Sequence, residues 1–260
     1  MQKKNSNKYK IISICTVIIF LTGWYVITAV LEIFPLYVLP DPVTIFKTLI
    51  KKITVKTPDG ATLITHIFAS LKVVLAGFAV GLVGVPLGIA MAWNKWADKI
   101  ARPVFNFLRP IPPIAWIPVM ILLFGIGTPA KAAVIFISAL IPNVINSYSG
   151  IRQTSQVHLW VGRTFGASNF ELLTKIAIPS ALPNIFTGMR LSLGTSLVSL
   201  VSAEMLAATK GLGYLIQIGR QFSKTDLVIG GMIVIGVLGA LLARILEAVE
   251  RKLVKGRGNL

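Results

Sequence analysis

From Ile11 to Leu31 the chain runs without one charged side chain, and about 20 mostly apolar residues in a row are what a helix needs to cross a bilayer. A secretory signal has a shorter apolar core and a small-residue cleavage site. Here Val30-Leu31-Glu32 closes the run, so the segment is a retained helix. Five further apolar stretches follow at Ile64–Trp93, Pro103–Phe124, Ala130–Tyr148, Asn184–Leu206 and Leu227–Val249. Only 13% of the residues are charged against 55% hydrophobic. A soluble domain carries about 25% charged residues, whereas a lipid-facing surface needs almost none. The expected fold is all-α: a polytopic membrane protein with six transmembrane helices, in one domain over 1–260.

The 26 Lys and Arg outnumber the 9 Asp and Glu, for a net charge of +17. In a soluble chain this would suggest nucleic acid, but no basic stripe interleaved with aromatics occurs. In a membrane chain an excess of Lys and Arg marks the cytoplasmic loops. Placing the N-terminus inside puts most basic residues on inner loops and tails, including Lys3, Lys4, Lys8 and Lys10 at one end and Arg251, Lys252, Lys255 and Arg257 at the other. Both termini are therefore expected in the cytoplasm. Lys47, Lys51, Lys52 and Lys56 fall on the outer side. A short interfacial helix that starts at Asp41-Pro42, a capping residue followed by a first-turn proline, accounts for them. Val43, Phe46, Leu49, Ile50 and Ile53 form its apolar face, opposite Lys47, Lys51 and Lys52. Cys15 is the single cysteine, and His66 and His158 lie far apart, so neither a disulfide nor a metal cluster is expected.

Inside the spans, Gly77, Gly81, Gly84 and Gly88 recur every three or four residues and form a stripe along which another helix can approach closely. The third span holds Pro103, Pro110, Pro112, Pro113 and Pro118. Such a broken element survives at membrane depth only when buried in protein or lining water. Glu204 is the one acid well inside a span. A charge there costs roughly 2.5–3.5 kcal/mol, so it faces a cavity, a basic partner or the outer interface, which leaves a pathway role and a structural pair both open. Arg190 is expected to snorkel or to pair with the neighbouring loop. Asn143, Asn146 and Ser199 offer either contacts to a polar solute or hydrogen bonds between helices. Gly211-Leu212-Gly213 reads as a turn.

The longest inner loop, Gly150 to Ala181, reads as two short helices joined at Gly166-Ala167-Ser168. Phe165, Phe170, Leu173 and Ile176 give an apolar face, and Arg163, Glu171 and Lys175 a polar one. A short amphipathic helix held between two spans is a handle for a partner or a loop resting on lipid. This loop resembles the coupling loop of ATP-binding-cassette (ABC) importer permeases, whose pattern is Glu-Ala-Ala, three residues, Gly, nine residues, Ile, one residue, Leu or Ile, Pro. Gly166, Ile176, Ile178 and Pro179 fall in register, while Trp160, Val161 and Gly162 replace Glu-Ala-Ala. Leu108 to Gly127, "VLPDP" at Val38 to Pro42, "SAEML" at Ser202 to Leu206 and "GLGYLI" at Gly211 to Ile216 are similar to the nitrate, sulfonate and taurine branch of that family.

The resemblance implies an ABC type I importer-like permease, its family core at about 60–250 and its coupling loop at 150–181. It implies a permease homodimer in membrane lipid, cytoplasmic ABC ATPase subunits that hydrolyse the ATP, and an extracytoplasmic substrate-binding protein. Arg163, Gly166, Ala167, Ser168, Phe170 and Pro179 would meet the ATPase, and Asn143, Ser199 and Glu204 would serve the translocation path of a small anionic solute such as nitrate, a sulfonate or taurine. The chain has no G-x-x-x-x-G-K-[ST] phosphate loop, so it is not expected to bind ATP or another cofactor itself. No paired acids, Ser-Lys pair or His cluster points to an enzyme. A carrier driven by an ion gradient remains the rival reading, although such carriers usually show internal repeats and midplane ionisable groups.

Overall fold

A computed structural model of the chain describes residues 3–254. Lys255 and Arg257 of the expected basic tail lie outside the described residues. Among the described residues, five helical segments are long and apolar enough to cross a membrane: Ile11–Val30, Leu63–Trp93, Thr128–Arg152, Asn169–Ala207 and Thr225–Leu253. A bent pair, Lys95–Leu108 with Pro113–Phe124, raises the number to six if it counts as one crossing. The contacts divide the chain into two compact units, Met1–His66 with Leu215–Val234, and Ile67–Tyr214 with Ile235–Leu260.

In the first unit, α1 (Lys3–Tyr25) continues into a wide π-helical turn at Val26–Val30. Its apolar side chains, from Ile11 to Phe20, are almost all exposed, as lipid-facing residues must be. α2 (Pro42–Thr54) starts as the sequence predicts: Asp41 Oδ1 accepts the backbone N–H groups of Val43 at 2.9 Å and Thr44 at 3.0 Å, and Oδ2 accepts the Thr44 hydroxyl at 2.6 Å. Burial alone would raise the Asp41 carboxyl. These hydrogen bonds, led by that of the Thr44 side chain, outweigh it and hold the group below its ordinary value.

The faces of α2 depart from expectation. Val43, Phe46, Ile50 and Ile53 are exposed, whereas Ile45 and Lys52 point inward. Lys52 is thus not on the polar face. It is buried, bonded to the Thr57 carbonyl at 3.1 Å and paired with Asp59, which also faces His66. A buried ammonium must be paired, and its partner comes from the bend after the helix, where helical spacing gives no hint of it.

In the second unit, α3 (Leu63–Gly81) and α4 (Gly84–Trp93) lie along α7 (Thr128–Arg152). A Cβ at Gly77 would meet Ile135 and one at Gly84 the Leu140 carbonyl, each at 2.6 Å; Gly81 abuts Ala139 and Gly88 abuts Val144. The predicted glycine stripe is therefore closed within the chain. The numbers rise together along both helices, so the helices run parallel and residues 94–127 must bring the chain back across.

Those residues form α5 (Lys95–Leu108), a single 3₁₀ turn at Pro113–Trp116 and α6 (Ile117–Phe124), with a 90° bend between the arms. The break expected within Pro103–Phe124 is present, but the helical part before it starts earlier, at Lys95. Pro103 is tolerated inside α5, while Pro110, Pro112 and Pro113 break the chain, because each proline removes a donor and disfavours helix in the residue before it. α6 has eight residues, about 12 Å of helix. Its Ile117, with Met120 and Ile121, packs on Val134 of α7 and on Ala203.

The chain then turns through α8 (Gln156–Thr164) into α9 (Asn169–Glu171), a π-helical segment Leu172–Ala177 and α10 (Ile178–Ala207). The two short helices expected in this loop are replaced by one short helix and one that runs unbroken from Asn169 to Ala207. The wide π turns just before Pro179 absorb a proline that would otherwise end the helix. α10 is antiparallel to α7: Ser199 Oγ meets Ser138 Oγ at 3.0 Å, and Gly150 abuts Ala181. One core joins Val73, Val74, Ile135 and Leu200; another joins Ile151, Ala177, Ala181 and Ile185. α11 (Leu212–Gln221) and α12 (Thr225–Leu253) complete the chain. Arg190 of α10 pairs with Glu250 of α12, in place of the expected snorkel or loop contact.

Candidate functional site

The elbow between α7 and α10 is held by short-range chemistry. α8 ends in a paired closing motif: the Gly166 N–H bonds to the Arg163 carbonyl at 2.9 Å and the Ala167 N–H to the Gly162 carbonyl at 3.0 Å. Gly166 has φ +79°, and a Cβ there would meet nothing within 4 Å. The glycine is required by the backbone conformation rather than by space. Two residues later Ser168 opens the next helix with a reciprocal cap. The Ser168 N–H donates to Glu171 Oε2 at 3.0 Å, and the Glu171 N–H donates to Ser168 Oγ at 3.3 Å. Lys175 Nζ donates to Glu171 Oε1 at 2.8 Å.

Gly162 fixes the angle of the elbow, since a Cβ there would sit 2.5 Å from Leu172 and 2.9 Å from Ile176. It occupies the second alanine position of the coupling pattern, where only a small residue lets α8 rest on the following helix. Trp160, at the Glu position, is exposed instead. The expected single apolar face is divided. Leu172 and Ala177 are buried, and Leu173 packs on the core around Ile151, while Phe165 is 86% and Phe170 73% exposed. Arg163, Gly166, Ser168 and Pro179 are exposed and Ala167 half-buried. Arg163 also lines a groove with Lys95, Arg152 and Gln156. The elbow thus presents Trp160, Phe165 and Phe170 to solvent beside several cations, a surface able to receive a partner.

Glu204 lies near the other end of α10 and is fully buried. The Ser70 hydroxyl lies 2.8 Å from both of its carboxylate oxygens, and Oε2 accepts the Gly213 N–H at 2.9 Å. Ser70 Oγ in turn accepts the Leu212 N–H at 2.8 Å. The first turn of α11 is thereby clasped to α10 and α3, with Lys131 close enough to act electrostatically. An acceptor at a helix N-terminus meets donors that have no partner within the helix. Gly211, at φ +137°, leaves no room for a Cβ beside the carboxylate. Gly211-Leu212-Gly213 is therefore more than a turn.

Asn143 is also fully buried. Its Nδ2 donates to the Gly81 carbonyl at 3.1 Å, and its Oδ1 accepts the Ser192 hydroxyl at 3.2 Å. Asn146 Nδ2 donates to the Pro142 carbonyl at 2.8 Å. Asn143, Ser199 and Glu204 thus occupy separate levels of one helix cluster. Sequence reasoning missed Ser70, Gly162 and Glu171. The spacing Ser168-x-x-Glu171 was a readable capping signal; nothing near Ser70 in the sequence points to Glu204.

A family description, "Binding-protein-dependent transport system inner membrane component", matches residues 84–255. The taurine transport system permease protein TauC of Escherichia coli is 36% identical over 253 residues, covering 96% of this chain and 90% of that protein. The putative aliphatic sulfonates transport permease protein SsuC of Bacillus subtilis is 35% identical, covering 85% and 79%. The bicarbonate transport system permease protein CmpB of Synechococcus elongatus is 35% identical, covering 72% and 68%. Among solved structures, an inward-facing MetNI methionine ABC transporter chain aligns with TM-score 0.62 at 18% identity, covering 74% of this chain and 95% of that one. A family of transport permeases is not a family of enzymes, and it stands apart from ion-driven carriers. With five or six apolar crossings in a matching fold, the chain belongs to the binding-protein-dependent transport system inner membrane components and is a multi-pass permease subunit of an ABC importer.

Proposed function

We propose that the chain works as one permease domain paired with a second copy in membrane lipid. In this reading the elbow built from Arg163, Gly166, Ala167, Ser168, Phe170 and Pro179 docks on cytoplasmic ABC ATPase subunits, with both termini in the cytoplasm. The ATP is hydrolysed by those subunits, and this chain holds no cofactor of its own. An extracytoplasmic binding protein delivers the solute. The observation that carries the reading is the elbow itself, rigid in its backbone yet exposing Phe165 and Phe170. Lys95, Arg152 and Arg163 gather beside it, as suits a cytoplasmic face. ATP must favour one state of the assembly over the other, and movement of the elbow becomes rigid tilting of α10. Asn143, Ser199 and Glu204 then serve the path by tying its helices at fixed levels.

Relatives named for taurine, aliphatic sulfonates and bicarbonate share a small solute bearing an oxyanion, and we extend that solute class to this chain. Reconstitution with and without the ATPase tests the proposal: uptake should require both chains, and the binding protein should stimulate hydrolysis. Uptake by this chain alone on a proton or sodium gradient would sink it. Within the assembly, Gly166→Asp should cut uptake by about tenfold or more, as expected at the centre of a contact, while hydrolysis persists. Normal uptake at normal expression would count against docking through the elbow.

A further inference from the structure

α5 has three faces. At about 100° per residue, Asp98, Ala101, Phe105 and Leu108 fall on one side and are half-buried against the protein. Arg102 secures that side by donating to Asp98 Oδ1 at 3.0 Å and by meeting the Tyr148 hydroxyl of α7. A second side carries Trp96, Ile100 and Phe107, each 73% exposed, with Val104 between them. The third carries Lys95, Lys99 and Asn106, with Arg109 just beyond the helix end, all exposed. Lys99 Nζ lies 5.4 Å from the Trp96 ring centre, at the border of the apolar and cationic faces.

We propose that α5 is a surface anchor that selects anionic phospholipid. The row of Trp96, Ile100, Val104 and Phe107 enters the acyl boundary, and Lys95, Lys99 and Arg109 hold headgroup phosphates. The 90° bend to the apolar α6 arm lays α5 flat when that arm stands across the membrane. Its apolar side then meets acyl chains and the adjoining cations meet headgroups, the arrangement that binds anionic lipid. A second copy is a poor occupant for the same face. A twofold contact sets a face against itself, which would bring cations against cations, and the one acid of α5, Asp98, is committed to Arg102. The placement needs only a chain that spans a bilayer, and of its residues Lys95 alone also borders the elbow.

The test uses the full chain in nanodiscs of phosphatidylcholine doped with brominated phosphatidylcholine or brominated phosphatidylglycerol at equal bromine content. The Trp96 signal is the difference between the parent and Trp96→Phe. Brominated phosphatidylglycerol should quench that signal at least about twofold more strongly, and Lys95→Gln, Lys99→Gln and Arg109→Gln together should erase the preference without removing quenching. Equal quenching of the parent by the two lipids overturns the headgroup selection. An unquenched Trp96 overturns the membrane placement, and cross-linking of Ile100→Cys chains in a Cys15→Ser background would then assign the face to a second copy.

Discussion

α10 is reached through the elbow and runs to the Glu204 clasp, and its two ends are finished in opposite ways. At the elbow every bond is local. Gly166 and Ala167 close α8, Ser168 and Glu171 open the next helix, and the aromatic side chains are left outside. At the clasp Ser70 reaches Glu204 from far along the sequence, Gly213 joins from beyond the helix end, and the acidic group is inside. A part held by its own neighbours keeps its shape while its outer surface meets something else. A part held by buried long-range bonds fixes how helices sit together and offers no surface. The difference separates a grip from a lock.

The largest expected effect bears on the lock. Glu204→Ala leaves the Ser70 hydroxyl and the Gly213 N–H buried without an acceptor, a loss of about 3 kcal/mol by the usual cost of unmet buried groups. Thermal unfolding in detergent should show a clearly lowered midpoint, and a parent-like midpoint would mean that the clasp holds nothing. Next is the hinge of the grip. Gly162→Val drives a side chain into Leu172 and Ile176 and should cost about 1–3 kcal/mol by overpacking, read by the same unfolding curve; no change would show that α8 moves aside freely. Smallest in stability is Phe165→Ala with Phe170→Ala, within about 0.5 kcal/mol for exposed positions. That pair should nonetheless weaken co-purification of the ATPase. A large loss of stability from it would erase the distinction between the two ends.

Much of this was legible in the residues. Long apolar runs fixed four crossings to within a few residues and the end of a fifth, whose helix starts at Asn169 rather than Asn184; Asp41-Pro42 marked the start of α2, and Gly166 marked the elbow. What escaped shares a cause: the deciding partner was non-local or the backbone adapted. Ser70 lies 134 positions from Glu204. Lys52 looked polar-facing because its acid, Asp59, follows the helix rather than sharing its spacing. The fifth crossing looked as if it began at Asn184 because the π turns that carry the helix past Pro179 cannot be read from residue type. The proline-rich third crossing announced a break but not its angle, which depends on how Ile117 and Ile121 settle on α7.

The glycine seam between α4 and α7 has a further consequence. Because Gly84 and Gly88 already touch main-chain atoms of α7, that seam has no free edge to lend to another molecule. Any sister subunit must be held by bulkier side chains elsewhere. Enlarging those glycines would cripple the lone polypeptide before any assembly step came into question.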